Sequence, residues 1–213
     1  MRKKVIDLKK MLKPYYTASA IRPSIIQLPT FGCLMVDGVG DPNGEAFREA
    51  VSSIYSVAYT LKFMMKERSI DFPVMPLQGL WSADDMSDFL KGARDRWKWT
   101  VLVVLPDVVT KKDVVAANEA AKEKGKLAGV PAVRFGKFAE GRAAQIMHIG
   151  PYAAERPTIE RLHAFIAEQG DRPRGRHHEI YLGDPRRSAP EKLKTIIRQP
   201  IRRAARVQAR NPR

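Results

Sequence analysis

The chain has a single cysteine, Cys33, in 213 residues, which excludes an internal disulfide framework and a cysteine-rich metal centre. No apolar run approaches the ~20 residues of a membrane-spanning helix. The start, Met1-Arg2-Lys3-Lys4-Val5-Ile6-Asp7, is basic but lacks the apolar stretch and small-residue cleavage site of a secretory leader. A soluble, cytoplasmic protein is the expectation. The four histidines form no H-E-x-x-H pattern and have no cysteine partners, so no metal site is expected. The glycine-rich stretch Gly38 to Gly44 lacks the G-x-x-x-x-G-K spacing of a nucleotide loop. No cofactor is expected.

Acidic residues are also in short supply. The formal net charge of +15 raises nucleic acid as a partner. Much of the excess sits at the ends, in Arg2, Lys3, Lys4, Lys9, Lys10 and Lys13 and in Arg202, Arg203, Arg206, Arg210 and Arg213. No helix-turn-helix, zinc finger or RNA-binding aromatic signature accompanies them. The expectation is weak, non-specific nucleic-acid contact through the basic termini and no membrane partner. A hydrophobic content of 44% suffices for a sizeable core, in one large domain or two tightly joined halves.

Residues 1–22 read as a polar, partly helical arm broken by Pro14 and Pro23, and 203–213 as a basic, disordered tail. Between them lie short strands at Ser24 to Leu28 and Phe31 to Val39. A helix from about Pro42 to Glu67 follows, with Asp41 as its N-cap and an apolar stripe of Phe47, Val51, Ile54, Ala58, Leu61 and Met65. Tyr55 and Tyr59, one turn apart, either edge into a cavity or flank the core. The stretch Phe72 to Trp81 reads as a strand whose prolines place it at an edge or bulge. Ser82 to Arg96 reads as a long loop. The strand Trp97 to Leu105 sets Trp97, Trp99, Val101 and Val103 on one face.

After a charged helix over Lys111 to Lys126, the same order recurs. Strands at Val130 to Phe138 and Ala143 to Ile149 precede a helix over Glu155 to Glu168, then strands at His177 to Leu182 and Lys192 to Ile201. This is an α+β pattern: a ββαββ unit, duplicated over 23–109 and 110–202, with pseudo-twofold symmetry and antiparallel sheets that form a central ligand cleft. In the strand His177 to Leu182, alternation puts Ile180 and Leu182 on one face and His177, Glu179 and Tyr181 on the other. A carboxylate and a phenol thus leave a rigid strand side by side. Arg176, Arg186 and Arg187 are candidate partners for the carboxylate.

Four segments together carry a resemblance: Gly40-Asp41-Pro42-Asn43-Gly44, Pro76-Leu77-Gln78-Gly79-Leu80-Trp81, Met147-His148-Ile149-Gly150-Pro151-Tyr152 and Glu179-Ile180-Tyr181-Leu182-Gly183-Asp184-Pro185-Arg186-Arg187. The chain resembles the stand-alone GyrI-like small-molecule-binding family, a module also found as the effector domain of some multidrug-sensing regulators. The resemblance implies a duplicated ββαββ fold whose pocket takes flat, aromatic, often cationic molecules. Some stand-alone members hydrolyse cyclopropane-bearing DNA alkylators of the yatakemycin type, and other relatives include a binder of DNA gyrase. Drug sequestration, hydrolysis of cyclopropanoid genotoxins and a gyrase-protective interaction are therefore the readings the resemblance brings.

The family's buried glutamate falls on Glu179, and its aromatic positions on Tyr181, Trp81 and Tyr152. Trp97 and Trp99 join them from strand alternation, and Tyr55, Tyr59 and His148 complete the candidate ligand-binding set. Glu179 is the expected general base or cation partner. Tyr181 is the expected hydrogen-bond donor to an oxygen on which charge develops.

Overall fold

The computed structural model describes residues 4–83, 94–123 and 132–204. The chain forms strands β1 (Lys4–Val5), β2 (Ser24–Gln27), β3 (Thr30–Val39), β4 (Ile70–Asp71), β5 (Gln78–Ser82), β6 (Lys98–Leu105), β7 (Arg134–Ala139), β8 (Arg142–Ile149), β9 (Asp171–Pro173), β10 (His177–Tyr181) and β11 (Lys194–Arg203). The helices are α1 (Leu8–Met11), α2 (Glu45–Glu67), α3 (Lys111–Glu123) and α4 (Arg156–Glu168).

One antiparallel sheet dominates, in the order β2-β8-β11-β10-β5-β6-β3-β7, with β9 added beside β11. The order reads the same from either end once β2, β3, β5 and β6 are matched to β7, β8, β10 and β11. The centre of the sheet is the β5–β10 pair, where Glu179 lies opposite Gly79 and His177 opposite Trp81, and the pairs β2–β8 and β3–β7 also join the first part of the chain to the second. The expected pair of sheets flanking a cleft is thus a single continuous sheet. The strand containing Trp81 also differs from expectation. Pro73 and Pro76 precede β5 in an extended lead-in, so β5 keeps its donors and sits in the middle of the sheet rather than at an edge.

Alternation along the strands gives the sheet two unlike faces. On one, α2 packs over β3 and β6 through Ala50, Ile54, Val57, Leu61 and Met65, while α4 packs over β8, β9 and β11 through Leu162 and Ile166. Both stripes recur at three- and four-residue spacing, which faces them to the sheet. The central strands β5 and β10 run between the helices and floor a trough. The N-cap of α2 is Gly44 rather than Asp41. Asp41 instead accepts the Asn43 backbone N–H at 2.8 Å and closes the turn before the helix.

The N-terminal arm covers the opposite face. The Thr17 carbonyl accepts from Gln145, the Tyr15 carbonyl from Arg198, and the Tyr16 hydroxyl oxygen from Gln78 Nε2 at 2.7 Å. Gln78, Gln145, His178 and Arg198 all point to this side, away from Glu179. The arm therefore braces the back of the sheet and does not cap the trough. Of the sequence expectations, the loop over Ser82 to Arg96, the end of the helix at Lys126, the start of the strand at Val130 and most of the basic tail lie partly or wholly outside the described residues. No helix among the described residues is long and apolar enough to cross a membrane.

Candidate functional site

Gly79 has no side chain to raise above the trough floor. A Cβ there would stand 2.8 Å from both Trp81 Nε1 and Tyr181 Oη. The two side chains converge over the glycine, with Trp81 Nε1 donating to the Tyr181 hydroxyl at 3.3 Å. Tyr181 in turn donates to Glu179 Oε2 at 2.7 Å, and His177 Nε2 lies 3.2 Å from Glu179 Oε1. Both carboxylate oxygens are thus held by residues of the same face of β10. The arginines do not reach Glu179: Arg186 and Arg187 pair with Asp184, and Arg176 bonds Thr100 on the other face.

Aromatic rings line this floor. Phe47 of α2 stacks on Trp81 at 5.5 Å, and Trp97 meets Trp81 edge-on at 6.1 Å. Tyr152 presents an edge to Tyr181 at 5.5 Å and is 39% exposed. Tyr55 and Tyr59 lie 6.4 Å apart on α2, Tyr55 half-buried and Tyr59 exposed. Burial raises the Tyr55 phenol, and the Leu77 backbone hydrogen-bonds to it.

Two of the expected ligand contacts are placed differently. Trp99 is buried edge-on against Phe47, and its six-membered ring occupies the space that a Cβ on Gly38 would need. It is core beneath the trough. His148 is also buried, with Nδ1 3.0 Å from Thr158 Oγ1 and Nε2 3.3 Å from the Pro151 carbonyl. Both nitrogens tie the start of α4 to β8.

The residue that sequence reasoning missed is Glu155, the N-cap of α4, which is 5% exposed. Burial first, and the neighbouring Glu179 charge second, push its carboxyl up to about 9. Burial also opposes ionisation of Glu179, but its bonds from His177 and Tyr181 and the nearby His178 outweigh burial and hold it below the usual range. The two carboxyls titrate as a coupled pair, with Glu155 shifted toward holding the proton and Glu179 toward the ionised form. Glu155 Oε1 and Thr195 Oγ1 are buried beside it, and the Thr195 hydroxyl and the Glu179 carboxyl are the hydrogen-bonding neighbours of the Glu155 carboxyl. Tyr152 is pushed up to about 12, by burial and then by the Glu155 and Glu179 carboxyls. The only sequence signal for Glu155 is its position three residues after the Gly150-Pro151-Tyr152 exit.

This protonation pattern has a measurable consequence. Folded Glu155 keeps a proton that the unfolded chain releases above about pH 4.5, so its contribution to stability falls as pH rises from there to about 9. Glu155→Gln removes that penalty. Its gain in Tm over the parent is expected to be about 5 °C larger at pH 8 than at pH 5. Thermal melts at the two pH values check this, and an equal shift at both would show that Glu155 is ionised in the fold.

The GyrI-like small-molecule-binding domain model matches residues 22–202. The chain belongs to the GyrI-like family. A solved structure of an uncharacterized conserved protein from Listeria innocua is 39% identical, spans 92% of this chain and 100% of its own, and superposes with a TM-score of 0.84. A second Listeria innocua structure, described as a hydrolase, is 38% identical over 92% of this chain and 100% of its own, with a TM-score of 0.80. The EcmrR C-terminal domain shares the fold at 10% identity, with a TM-score of 0.59 over 86% of this chain and 98% of its own. No curated protein matches the chain. The GyrI-like domain makes this a small-molecule-binding protein with an antiparallel α+β fold.

Proposed function

We propose that the trough of this GyrI-like domain binds planar aromatic cations and hydrolyses cyclopropane-bearing alkylators. The observation that carries the reading is two largely buried carboxyls side by side beneath aromatic side chains: Glu179, held by the Tyr181 hydroxyl and His177, and Glu155, whose carboxyl is pushed up by burial and by the Glu179 charge. The carboxylate attracts a ligand cation, and each ring face adds roughly 0.5–2 kcal/mol. Entry of a flat ligand displaces Tyr152 from its edge contact with Tyr181.

In the hydrolytic step, a water oxygen bonds to the unsubstituted cyclopropane carbon while Glu179 takes a water proton. The carbon–carbon bond breaks, and its electron pair passes through the conjugated ring to the carbonyl oxygen. That oxygen takes the Glu155 proton and becomes a phenol, and proton return between the adjoining carboxyls resets the pair. Tyr181 is a positioning residue here, because its hydroxyl already donates to Glu179. Supporting this reading, a relative 38% identical over nearly the whole chain is described as a hydrolase.

The test has two arms. Titration with a rhodamine dye is expected to quench tryptophan emission with a micromolar midpoint, since Trp81 lies in the floor. Incubation with a cyclopropane-bearing alkylator is expected to give many equivalents of the water adduct per protein, followed by mass spectrometry. Stoichiometric protection of the alkylator without product would replace hydrolysis by sequestration. No quenching by any planar cation would overturn the binding reading as well.

A further inference from the structure

A recess of about 400 Å³ opens on the sheet face opposite the trough, lined by Asp37, Val39, Ser82, Lys98, Thr100 and Arg176 and floored by the Gly38 and Trp99 backbone. Asp37 is the acidic side chain of the lining, and both its oxygens are occupied: Oδ1 accepts from Thr100 at 2.5 Å, and Oδ2 accepts from Arg134, whose Nε and Nη2 lie at 2.8 and 2.7 Å. Arg176 is half-buried and makes no ion pair among the described residues. Its Nη1 donates to Thr100 Oγ1 at 2.6 Å, a hydroxyl whose own proton goes to Asp37. Arg134 thus neutralises the carboxylate that Arg176 would otherwise use. Burial lowers the affinity of Arg176 for its proton, and the Arg134 charge adds to that, against the pull of Asp37.

A half-buried guanidinium without a carboxylate is costly unless a further acceptor meets its remaining N–H groups. Those groups sit on a planar fork suited to two oxygens of one anion. Val39, 56% exposed, supplies an apolar flank beside them. We propose that this recess is an oxyanion-binding site, separate from the trough, for a small carboxylate or phosphomonoester that carries an apolar group. The anionic head forks onto Arg176, with Ser82 and Lys98 lining the same recess, and the apolar group rests on Val39. The site does not depend on the hydrolytic reading, because the side chains offered to the anion, those of Arg176, Ser82 and Lys98, lie on the sheet face opposite Glu179.

The test is calorimetric titration of the full chain with inorganic phosphate, benzoate and phenyl phosphate, each against chloride at matched ionic strength. Phenyl phosphate or benzoate is expected to bind saturably, with Kd about 1 mM or tighter, and inorganic phosphate more weakly because it cannot use Val39. Preference for phenyl phosphate over benzoate assigns a phosphomonoester, and the reverse a carboxylate. Arg176→Gln is expected to weaken binding at least tenfold, while Arg172→Gln, an exposed arginine of β9, leaves it unchanged. Val39→Glu changes an exposed side chain and sets a competing carboxylate beside Arg176, so it is expected to abolish binding even if Arg176→Gln folds poorly. Absence of saturable binding by all three anions would overturn the proposal. So would equal losses in Arg176→Gln and Arg172→Gln, which would show diffuse attraction to a basic surface.

Discussion

Replacement of Glu179 by glutamine is expected to cut rhodamine affinity by roughly 30- to 150-fold, about 2–3 kcal/mol, and to abolish ring opening. The change is nearly isosteric. The amide keeps an oxygen for the Tyr181 hydroxyl, now 2.7 Å from Glu179 Oε2, and the strand β10 stays in register with Gly79 and Ile197. What the substitution removes is the negative charge that the trough carries near neutral pH. A cation binding there loses its partner in a poorly hydrated setting, where truncating one side of a charge pair costs most. A neutral planar molecule of similar size should lose far less affinity, because the rings of Trp81, Phe47 and Tyr152 remain. Without the Glu179 charge, Glu155 also loses one cause of its raised pKa, which offsets part of the stability lost with the bonds that hold the Glu179 carboxylate down. Glu155→Gln separates the two roles: dye affinity is retained while turnover falls, since the donor to the phenol oxygen is gone. Dye binding that is indifferent to Glu179→Gln would place the cation elsewhere.

The sequence carried the local half of this site and not the tertiary half. Glu179, Tyr181 and His177 share a face because a strand alternates with period two, and that period is visible within the five residues of β10. The pairing of Trp81 with His177 is a matter of sheet register between distant strands, and nothing local in the sequence announces it. Glu155 was hidden because nothing local marks a helix N-cap as buried. Its burial comes from the packing of α4 on a sheet whose central strand β10 arrives only after the helix has ended. Trp99 was misplaced for a related reason. Alternation gives the face of the sheet but not the depth, and Phe47, contributed by α2, covers the indole. The prolines before β5 argued for an edge strand. They fall outside its hydrogen-bonded segment, so the rule they invoke does not apply to the strand itself.

Loss of Arg198 is expected to be the largest single stability defect in the molecule, although it lies on the face away from the trough. Arg198 is 2% exposed, and its guanidinium donates to Gln145 Oε1, to the Tyr15 carbonyl at 2.6 Å and, at 3.4 Å, to Glu140 Oε2. Glu140 is 3% exposed and also lies 2.9 Å from His178 Nδ1. Arg198→Met preserves much of the side chain's apolar stem but leaves Glu140 buried without its guanidinium partner. Breaking a buried pair in this way costs about 3–5 kcal/mol, or roughly 6–20 °C in Tm for a chain of this size. Burial opposes ionisation of Glu140, but His178 and Arg198 outweigh it and hold its carboxyl below the ordinary value. A depressed carboxylate contributes stability above its unfolded pKa and loses it as pH falls through the folded one. The defect of Arg198→Met is therefore expected to be full at pH 7 and to shrink toward pH 4. The double variant Glu140→Gln/Arg198→Met should melt well above the sum of the single losses, because the carboxylate left unpaired by the arginine change is gone. Strict additivity, or a defect that does not change with pH, would mean that Arg198 acts only by packing and by holding the Tyr15 carbonyl. Earlier proteolytic cutting near Tyr15 in the single variant would locate the consequence in the arm, since Arg198 joins that segment to β11, the strand paired with the one that carries Glu179.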